Sequence, residues 1–328
     1  MKTVIIGRFQ PLHNGHMALF DKALSFGDEV VVVLGSAKQA RTPKNPFTAA
    51  EREVMIRAAY PGREIRFVHL RDYHDDDLWN NAVLLAVGDD ARIVGMEKDD
   101  SSYYLRNFPE WERVSVTSCE DLSATEVRNL LFADHPTKWL LLETRLPGTV
   151  LDYLRAWSET AAFARMQAEF GYYAGYASQW GSGPHITADA VMINDGKVLL
   201  IRRGGIPGKG LLALPGGFLE RGERLLDSAI REMREETGIE FTRTYLDRFL
   251  VGQSVRDFPG RSLRGRVISH VFVFHLDTRE PPPLKAGDDA SEALWIPIAS
   301  LPALEDCFFE DHFLILSGAV TGLLISRH

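Results

Sequence analysis

Five short runs rich in β-branched residues, at 3–6, 29–34, 65–70, 92–94 and 113–116, alternate with helical patterns at 16–25, 48–59 and 78–87. Alternation of this kind demands crossover connections, and therefore a parallel sheet with helices on both faces. Ligands of such sheets bind beyond the carboxyl ends of the strands. The segment after the first strand is thus where chemistry is expected.

The rhythm then changes. Residues 147–173 are helical in pattern and rich in aromatics, with Leu151, Leu154, Phe163, Met166 and Phe170 near helical spacing, and 175–184 have loop composition. Further on, runs at 186–194 and 197–202 flank Asp195-Gly196, a two-residue hairpin signal. A glycine-rich loop, one long helix over 225–237 and strands over 244–251 and 267–275 complete an α+β pattern. The expected organisation is an α/β domain at 1–146, a helical linker region at 147–183 and an α+β domain at 184–328. A length of 328 residues suits two domains of about 150 each.

Composition excludes several function classes. Residues 1–146 carry 18 basic and 22 acidic side chains, and the remainder 19 and 23. Neither half is a basic nucleic-acid module, which needs a dominant positive face. Two cysteines, Cys119 and Cys307, are too few for a disulfide framework and suit a reducing compartment. No apolar run approaches the roughly 20 residues that span a bilayer. The apolar start is cut off by Arg8 before it reaches the roughly 7–15 residues of a secretion signal. A cytoplasmic protein that engages neither membrane nor nucleic acid is expected. Its oligomeric state stays open, a homo-oligomer included.

Gly7-Arg8-Phe9-Gln10-Pro11-Leu12-His13-Asn14-Gly15-His16 follows the first strand and opens a helix. Backbone N–H groups at a helix start attract anions, and glycines let the backbone approach them. His13 and His16, three apart, point the same way on a helical turn and with Arg8 can hold a polyphosphate. This string resembles the His-x-Gly-His nucleotidyltransferases, whose Rossmann-like domain activates the α-phosphate of ATP. Their second element, Ser-x-Thr-x-x-Arg, is matched at Ser123-Ala124-Thr125-Glu126-Val127-Arg128. The resemblance implies that Ser123 and Arg128 hold the ATP phosphates.

The phrase from Gly7 to His16, Asn45-Pro46-Phe47-Thr48 with Glu51-Arg52, and Trp79 after an acidic run narrow the likeness. They are similar to the archaeal-type nicotinamide-mononucleotide adenylyltransferases, over about residues 1–135. This likeness implies that Gly7, Phe9, Trp79 and Ser123 contact substrate, Trp79 as a stacking surface for the nicotinamide ring. Arg8, His13, His16 and Arg128 are then the catalytic groups. Asp75-Asp76-Asp77 reads as a solvated helix start.

The second chemical string runs from Gly217 through Glu223 to Arg231-Glu232-Met233-Arg234-Glu235-Glu236-Thr237-Gly238-Ile239. On a helix, Glu232, Glu235 and Glu236 fall at i, i+3 and i+4, and three carboxylates on one face repel one another unless a divalent cation offsets the charge. Every fixed position of G-x5-E-x7-R-E-U-x-E-E-x-G-U (U aliphatic) is satisfied, and the segment is identified as a Nudix box. The resemblance implies that Glu232, Glu235 and Glu236, with the carbonyl of Gly216, hold Mg²⁺ or Mn²⁺. Glu223 and Arg231 then lock the loop to the helix, with Glu223 and Glu235 serving catalysis. The general base is not readable.

Asp257-Phe258-Pro259-Gly260-Arg261-Ser262-Leu263-Arg264-Gly265-Arg266 resembles the loop of Nudix domains that act on or sense ADP-ribose, which implies substrate contacts by Arg261 and Arg264. Where relatives carry a Trp before the box, this chain has Gly210-Leu211-Leu212. Both strings in this order, and the later Phe308-Phe309-Glu310-Asp311-His312-Phe313, look like the bifunctional adenylyltransferase–Nudix proteins of bacterial NAD metabolism. The implied chemistry joins nicotinamide mononucleotide and ATP into NAD⁺ and pyrophosphate, and hydrolyses ADP-ribose to AMP and ribose 5-phosphate. Two other readings stay open: a Nudix half that senses ADP-ribose or NAD⁺ without cleaving it, and a first domain that acts on another phosphate acceptor. The preference between amidated and acidic mononucleotides is also open.

Overall fold

The computed structural model describes residues 1–96, 105–117 and 122–325. Cys119 lies outside them. The chain divides into two compact units, Met1–Phe170 and Gly171–His328.

In the first unit, β1 (Lys2–Gly7), β2 (Glu29–Leu34), β3 (Ile65–His69), β4 (Ala91–Gly95) and β5 (Glu112–Ser115) form one parallel sheet in the order β3-β2-β1-β4-β5. Side chains alternate across it. Ile5, Val30, Val32 and Leu34 join one buried cluster, while Val4, Ile6, Val31 and Val33 join another on the opposite face. Burial on both faces is why β2 reads as an unbroken apolar run. The strand order reverses direction at β1, so the loops leaving β1 and β4 diverge and open a crevice at the carboxyl edge.

Helices α1 (Met17–Leu24), α2 (Ala49–Ala59), α3 (Asp76–Val87) and α4 (Ala124–Phe132) cover the sheet. Thr48 and Ser123 each begin a helix with a capping box, closed by Glu51 and Glu126. Asp75 caps α3 by accepting the Leu78 amide at 2.9 Å, which explains the acidic run there. Helices α5 (Lys138–Glu143), α6 (Gly148–Trp157) and α7 (Ala161–Trp180) follow. Leu151, Leu154, Trp157, Phe163 and Met166 are buried in the same cluster as Ile5, Phe20 and Phe47. The division between the units falls within α7.

The second unit has a mixed sheet of β6 (His185–Asn194), β7 (Lys197–Arg203), β8 (Leu212–Ala213), β9 (Gly216–Phe218), β10 (Leu250–Arg256), β11 (Val267–Leu276) and β12 (Ala290–Pro297). The β6–β7 turn has positive φ at both Asp195 (46°) and Gly196 (69°), the primed geometry that Asp-Gly favours. β6 pairs with β7 at Ile193–Asn194 only, and its other end pairs with β9 at Thr187–Asp189. That exchange of partners brings the glycine-rich loop onto the sheet. α8 (Leu225–Thr237) packs Ala229, Ile230 and Met233 on one face, against Ala190, Met192 and Phe272. α10 (His312–Ile325) packs Phe313, Ile315 and Leu316 on the other, against Val191, Val198 and Val271.

The strand expected over 244–251 is corrected. Residues Arg243–Leu246 form a short helix, α9, capped by Thr242, and the strand begins at Leu250. Phe241, Tyr245 and Phe249 recur every fourth residue, and their rings meet at 4.7 and 5.0 Å. Helical spacing of aromatics outweighed the β propensity of the individual residues.

Candidate active sites

The first site is built on the carboxyl edge of β1. A side chain at Gly7 would meet the Phe9 ring, since a Cβ there would lie 2.7 Å from it. Phe9 has φ 47° and is buried, its ring edge-on to His16 at 4.9 Å and to Phe20 at 5.3 Å. The ring of Phe9, a residue expected at the substrate, packs against His16. The rings of His13 and His16 lie 3.7 Å apart, tilted by 31°. The His13 amide donates to His16 Nδ1 at 3.3 Å. An Nδ1 that accepts leaves the ring proton of a neutral imidazole on Nε2, as a donor.

Gln10 ties three segments together. Its amide exchanges two hydrogen bonds with the Phe47 backbone, at 2.8 and 2.9 Å, and its carbonyl accepts Arg128 Nη1 at 2.8 Å. Arg128 also donates to Thr125 Oγ1 at 3.0 Å. Desolvation, then the charge of Arg8, pushes Arg128 down to about 10. Arg52 is fully buried and donates to the carbonyls of Arg8 and Gly35 at 2.7 Å and of Ser36 at 3.2 Å. It thereby pins the ends of β1 and β2 side by side.

Lys44 completes the positive cluster. Desolvation lowers its ammonium, as do the charges of Arg8 and Arg128, while Asp72 opposes them. Lys44 is a site residue that the sequence marks only weakly. The signal was its place directly before Asn45-Pro46-Phe47. Cations gathered this closely are stabilised by a polyanion among them.

Ser123 caps α4 and exchanges hydrogen bonds with Glu126, whose carboxylate takes the Ser123 amide at 3.0 Å and hydroxyl at 3.2 Å. Glu126 sits below the ordinary carboxylate range through those two bonds. Trp79 is half-buried in the first turns of α3, 6.2 Å from Phe108, in the cluster on the sheet face opposite Phe9.

The second site is built on β9 and α8. The Gly216 amide donates to Glu236 Oε2 at 3.0 Å. A Cβ on Gly216 would lie 2.3 Å from Asp189 Oδ1, and one on Gly217 the same distance from Glu232 Oε1. Only paired glycines allow this approach of strand to carboxylates. Arg231 is the hub. It donates to Glu223 at 2.9 and 3.1 Å, to Glu232 at 2.8 Å and to Glu235 at 2.9 Å. Those bonds raise Arg231 and hold Glu223 below its ordinary value. Glu223 is thus placed to lock the loop onto the helix.

The carboxylates divide. Glu232, Glu235 and Asp288 bring oxygens within 4.8 Å of one another. Glu236 instead turns inward, 3% exposed, where burial pushes it up to about 8. Asp288 was missed, because it stands 52 residues beyond Glu236 with only a neighbouring Asp289 to mark it. Three hard oxygen donors at this spacing suit a divalent cation, and neutralising them offsets their repulsion. Asp189 is buried, pushed up to about 6, and accepts the hydroxyl of Ser269.

The arginine loop divides as well. Arg261 is buried in a two-bond pair with Asp311, at 2.7 and 3.0 Å. Arg261 was expected to contact substrate; it lines the same cavity as Arg264, with two of its N–H donors held by Asp311. Arg264 pairs with Glu310 at 3.2 Å and lies 5.2 Å from the Phe218 ring and 5.6 Å from Phe309. The Phe308–Phe313 segment therefore supplies the acidic partners of this loop. His312 Nδ1 accepts the Leu214 amide at 3.0 Å, and burial lowers the imidazole to about 3. A cavity of about 40 Å³ is lined by Gly216, Phe218, Arg203, Arg264 and Phe309 among others. Leu212 is buried in the core beside Phe308.

Comparison with known proteins agrees with this two-site architecture. Residues 4–130 match the cytidylyltransferase-like family and residues 183–316 the NUDIX domain. A nicotinamide/nicotinic acid mononucleotide adenylyltransferase of Acinetobacter baylyi is 33% identical over 177 residues, covering 51% of this chain and 92% of that protein. A crystal structure of a bifunctional NMN adenylyltransferase/ADP ribose pyrophosphatase from Francisella tularensis covers 98% of both chains at 31% identity, with a TM-score of 0.87. A structure of the Francisella enzyme complexed with AMP and a manganese ion covers 98% of both chains at 31% identity, with a TM-score of 0.85. No described helix is long and apolar enough to cross a membrane. With both sites present in this order and the likeness extending over nearly the whole length, the chain belongs to the family of bifunctional NMN adenylyltransferase/ADP ribose pyrophosphatases.

Proposed function

We propose that the first unit transfers AMP from ATP to nicotinamide mononucleotide and that the second hydrolyses ADP-ribose. The observation that carries the reading is the presence of both sites, each with its charged groups assembled, on a chain alike over 98% of its length to a bifunctional relative. In the first reaction a phosphate oxygen of the mononucleotide attacks the α-phosphorus of ATP, the bond to the β-phosphate oxygen breaks, and pyrophosphate leaves. Arg8, Lys44 and Arg128 hold the triphosphate, and the Nε2 proton of His16, with His13 stacked beside it, stabilises charge that grows on the bridging and non-bridging oxygens. The start of α4, set by the Ser123 cap, adds backbone donors. Trp79 offers its face to the nicotinamide ring.

In the second reaction a water oxygen attacks one phosphorus of the diphosphate, and the bridging P–O bond breaks to give AMP and ribose 5-phosphate. Glu232, Glu235 and Asp288 are placed to hold Mg²⁺ or Mn²⁺, with the Gly216 carbonyl and Glu236 beside them. When bound, the metal polarises the diphosphate and makes the attacking water more acidic. Arg231 keeps Glu232 and Glu235 oriented. We place both reactions in the cytoplasm.

Purified protein with Mg²⁺ is supplied separately with nicotinamide mononucleotide plus ATP, and with ADP-ribose, NAD⁺, NADH or a nucleoside triphosphate, and products are resolved by mass spectrometry. NAD⁺ and pyrophosphate from the first mixture, and AMP with ribose 5-phosphate mainly from ADP-ribose, are expected. ADP-ribose that binds but stays intact would move the second unit to the sensor class. A first mixture that yields no NAD⁺ would reassign the acceptor.

A further inference from the structure

Among the described residues, one fully buried cation at the first site has no carboxylate paired with it. Arg52 lies in the first turn of α2, and every acceptor of its guanidinium is a backbone carbonyl. Nη1 donates to Arg8 and Gly35, both at 2.7 Å, Nη2 to Ser36 at 3.2 Å and Nε to Thr48 at 3.3 Å. Desolvation pushes the group down to about 10; Asp72 opposes the fall and the charge of Arg8 adds to it.

Burying such a charge is a poor way to gain stability, because an apolar side chain fills the same space without the desolvation cost. Its partners say more. The segments leaving β1 and β2 carry carbonyl oxygens that no strand pairs, and oxygens turned into the crevice would repel a polyphosphate. Arg52 takes those of Arg8, Gly35 and Ser36, as Arg128 takes that of Gln10. One nitrogen bound to both Arg8 and Gly35 also fixes the two loops against each other. Ser36, at φ 51°, is held by Asp72, which accepts its amide at 3.0 Å. The Arg8 side chain is exposed and has no hydrogen bond or ion pair among the described residues. Its stem runs past Gly35, where a Cβ would lie 3.7 Å from Arg8 Cγ. The aim of Arg8 is therefore set by its backbone, and that backbone is tied to Arg52.

We propose that Arg52 is a positioning residue for adenylyl transfer, acting through Arg8. It fixes the loop from which Arg8 reaches the triphosphate, and it keeps three carbonyl oxygens from facing that polyanion. The inference rests on the adenylyl-transfer reading above and deepens it.

The test is a cycle of full-length proteins, Arg8→Ala, Arg52→Lys and both together, titrated calorimetrically with ATP in Mg²⁺. Lysine keeps the charge, but a single ammonium cannot reproduce the planar fork that spans both loops. Each single substitution is expected to weaken ATP about tenfold, the order of one lost charged hydrogen bond. The double substitution should weaken it no further than Arg8→Ala alone, since groups that act through one another are not additive. In the transfer assay, Arg52→Lys should raise KM for ATP about tenfold and leave KM for the mononucleotide unchanged. Unchanged ATP binding in Arg52→Lys, multiplied losses in the double variant, or equal rises of both KM values would overturn the proposal.

The unsubstituted protein supplies a second measurement should Arg52→Lys fail to fold. By NMR, the Arg52 Nη protons should exchange slowly with and without ATP. Those of Arg8, identified by their absence in Arg8→Ala, should do so only with ATP. Arg52 protons released on ATP binding would overturn the proposal. The underlying reading fails separately: if no NAD⁺ forms while the ATP cycle stays non-additive, the acceptor is reassigned and the role of Arg52 stands.

Discussion

Arg8, Lys44 and Arg128 converge at the carboxyl edge of the first sheet, whereas Glu232, Glu235 and Asp288 converge beside β9 of the second unit. Both sites are proposed to receive phosphate chains, yet their local charges have opposite sign. The first meets the polyanion directly, with guanidinium, ammonium and imidazole donors. The second meets it through a cation that its own carboxylates must recruit. Each site stores repulsion that a ligand relieves, and the sign of that repulsion says which ligand comes first. Neither site is left raw. Asp72 opposes the cations around Lys44, and Arg231 spans Glu223, Glu232 and Glu235.

The largest effects should come from removing one group from each site and assaying both reactions. His16→Ala should slow adenylyl transfer about 10²–10³-fold, the loss seen when one preorganised donor to a developing charge is removed. ADP-ribose hydrolysis in the same protein should be untouched. Glu235→Gln should do the reverse, cutting hydrolysis by more than the roughly 10–100-fold that follows loss of a metal ligand's supporting partner. If either substitution slowed both reactions equally, the picture of two independent sites would be wrong.

A second contrast lies between two imidazoles. His16 sits half-buried in the mouth of its site, while His312 is buried with Nδ1 on the Leu214 amide. The folded His312 has its pKa lowered to about 3 from an ordinary 6.5, so the unfolded chain takes up the proton first as pH falls. The stability this group allows is therefore complete above about 6.5 and declines toward 3, by about 2 kcal/mol between pH 7 and pH 5. His312→Gln keeps an acceptor for Leu214 but cannot titrate. Its unfolding midpoint should fall less steeply over that range. Parallel pH profiles for the two proteins would show that His312 does not carry the acid sensitivity.

How much could be read before the fold was known follows the same division between local and distant. The alternation of the first half was legible because both faces of its sheet are buried, so Val30–Leu34 can be little other than an interior strand. The α8 carboxylates were legible because helical spacing alone puts them on one side. Asp288 was not, because only the return of the chain before β12 brings it to Glu232. The ion-pair partner of Arg261 was hidden for a related reason. A loop of arginines looks the same whether its partner is a substrate or Asp311, fifty residues away. Arg52 gave no local sign that its charge is spent on backbone carbonyls rather than ligand.

The smallest effects should resolve the first site into its two halves. Lys44→Met removes one cation from the triphosphate end and should raise KM for ATP about tenfold, as for a lost charged hydrogen bond, with KM for the mononucleotide little changed. Trp79→Ala removes a stacking face and should raise KM for the mononucleotide about tenfold, with ATP little changed. The pair forms a crossed test, because each variant controls for general damage in the other. Trp79 packs in the cluster of the sheet face opposite Phe9 and His16, so its effect should reach only the ring it stacks on. Equal rises for both substrates in Trp79→Ala would return that residue to the core, and the nicotinamide end of the site would have to be sought on another element.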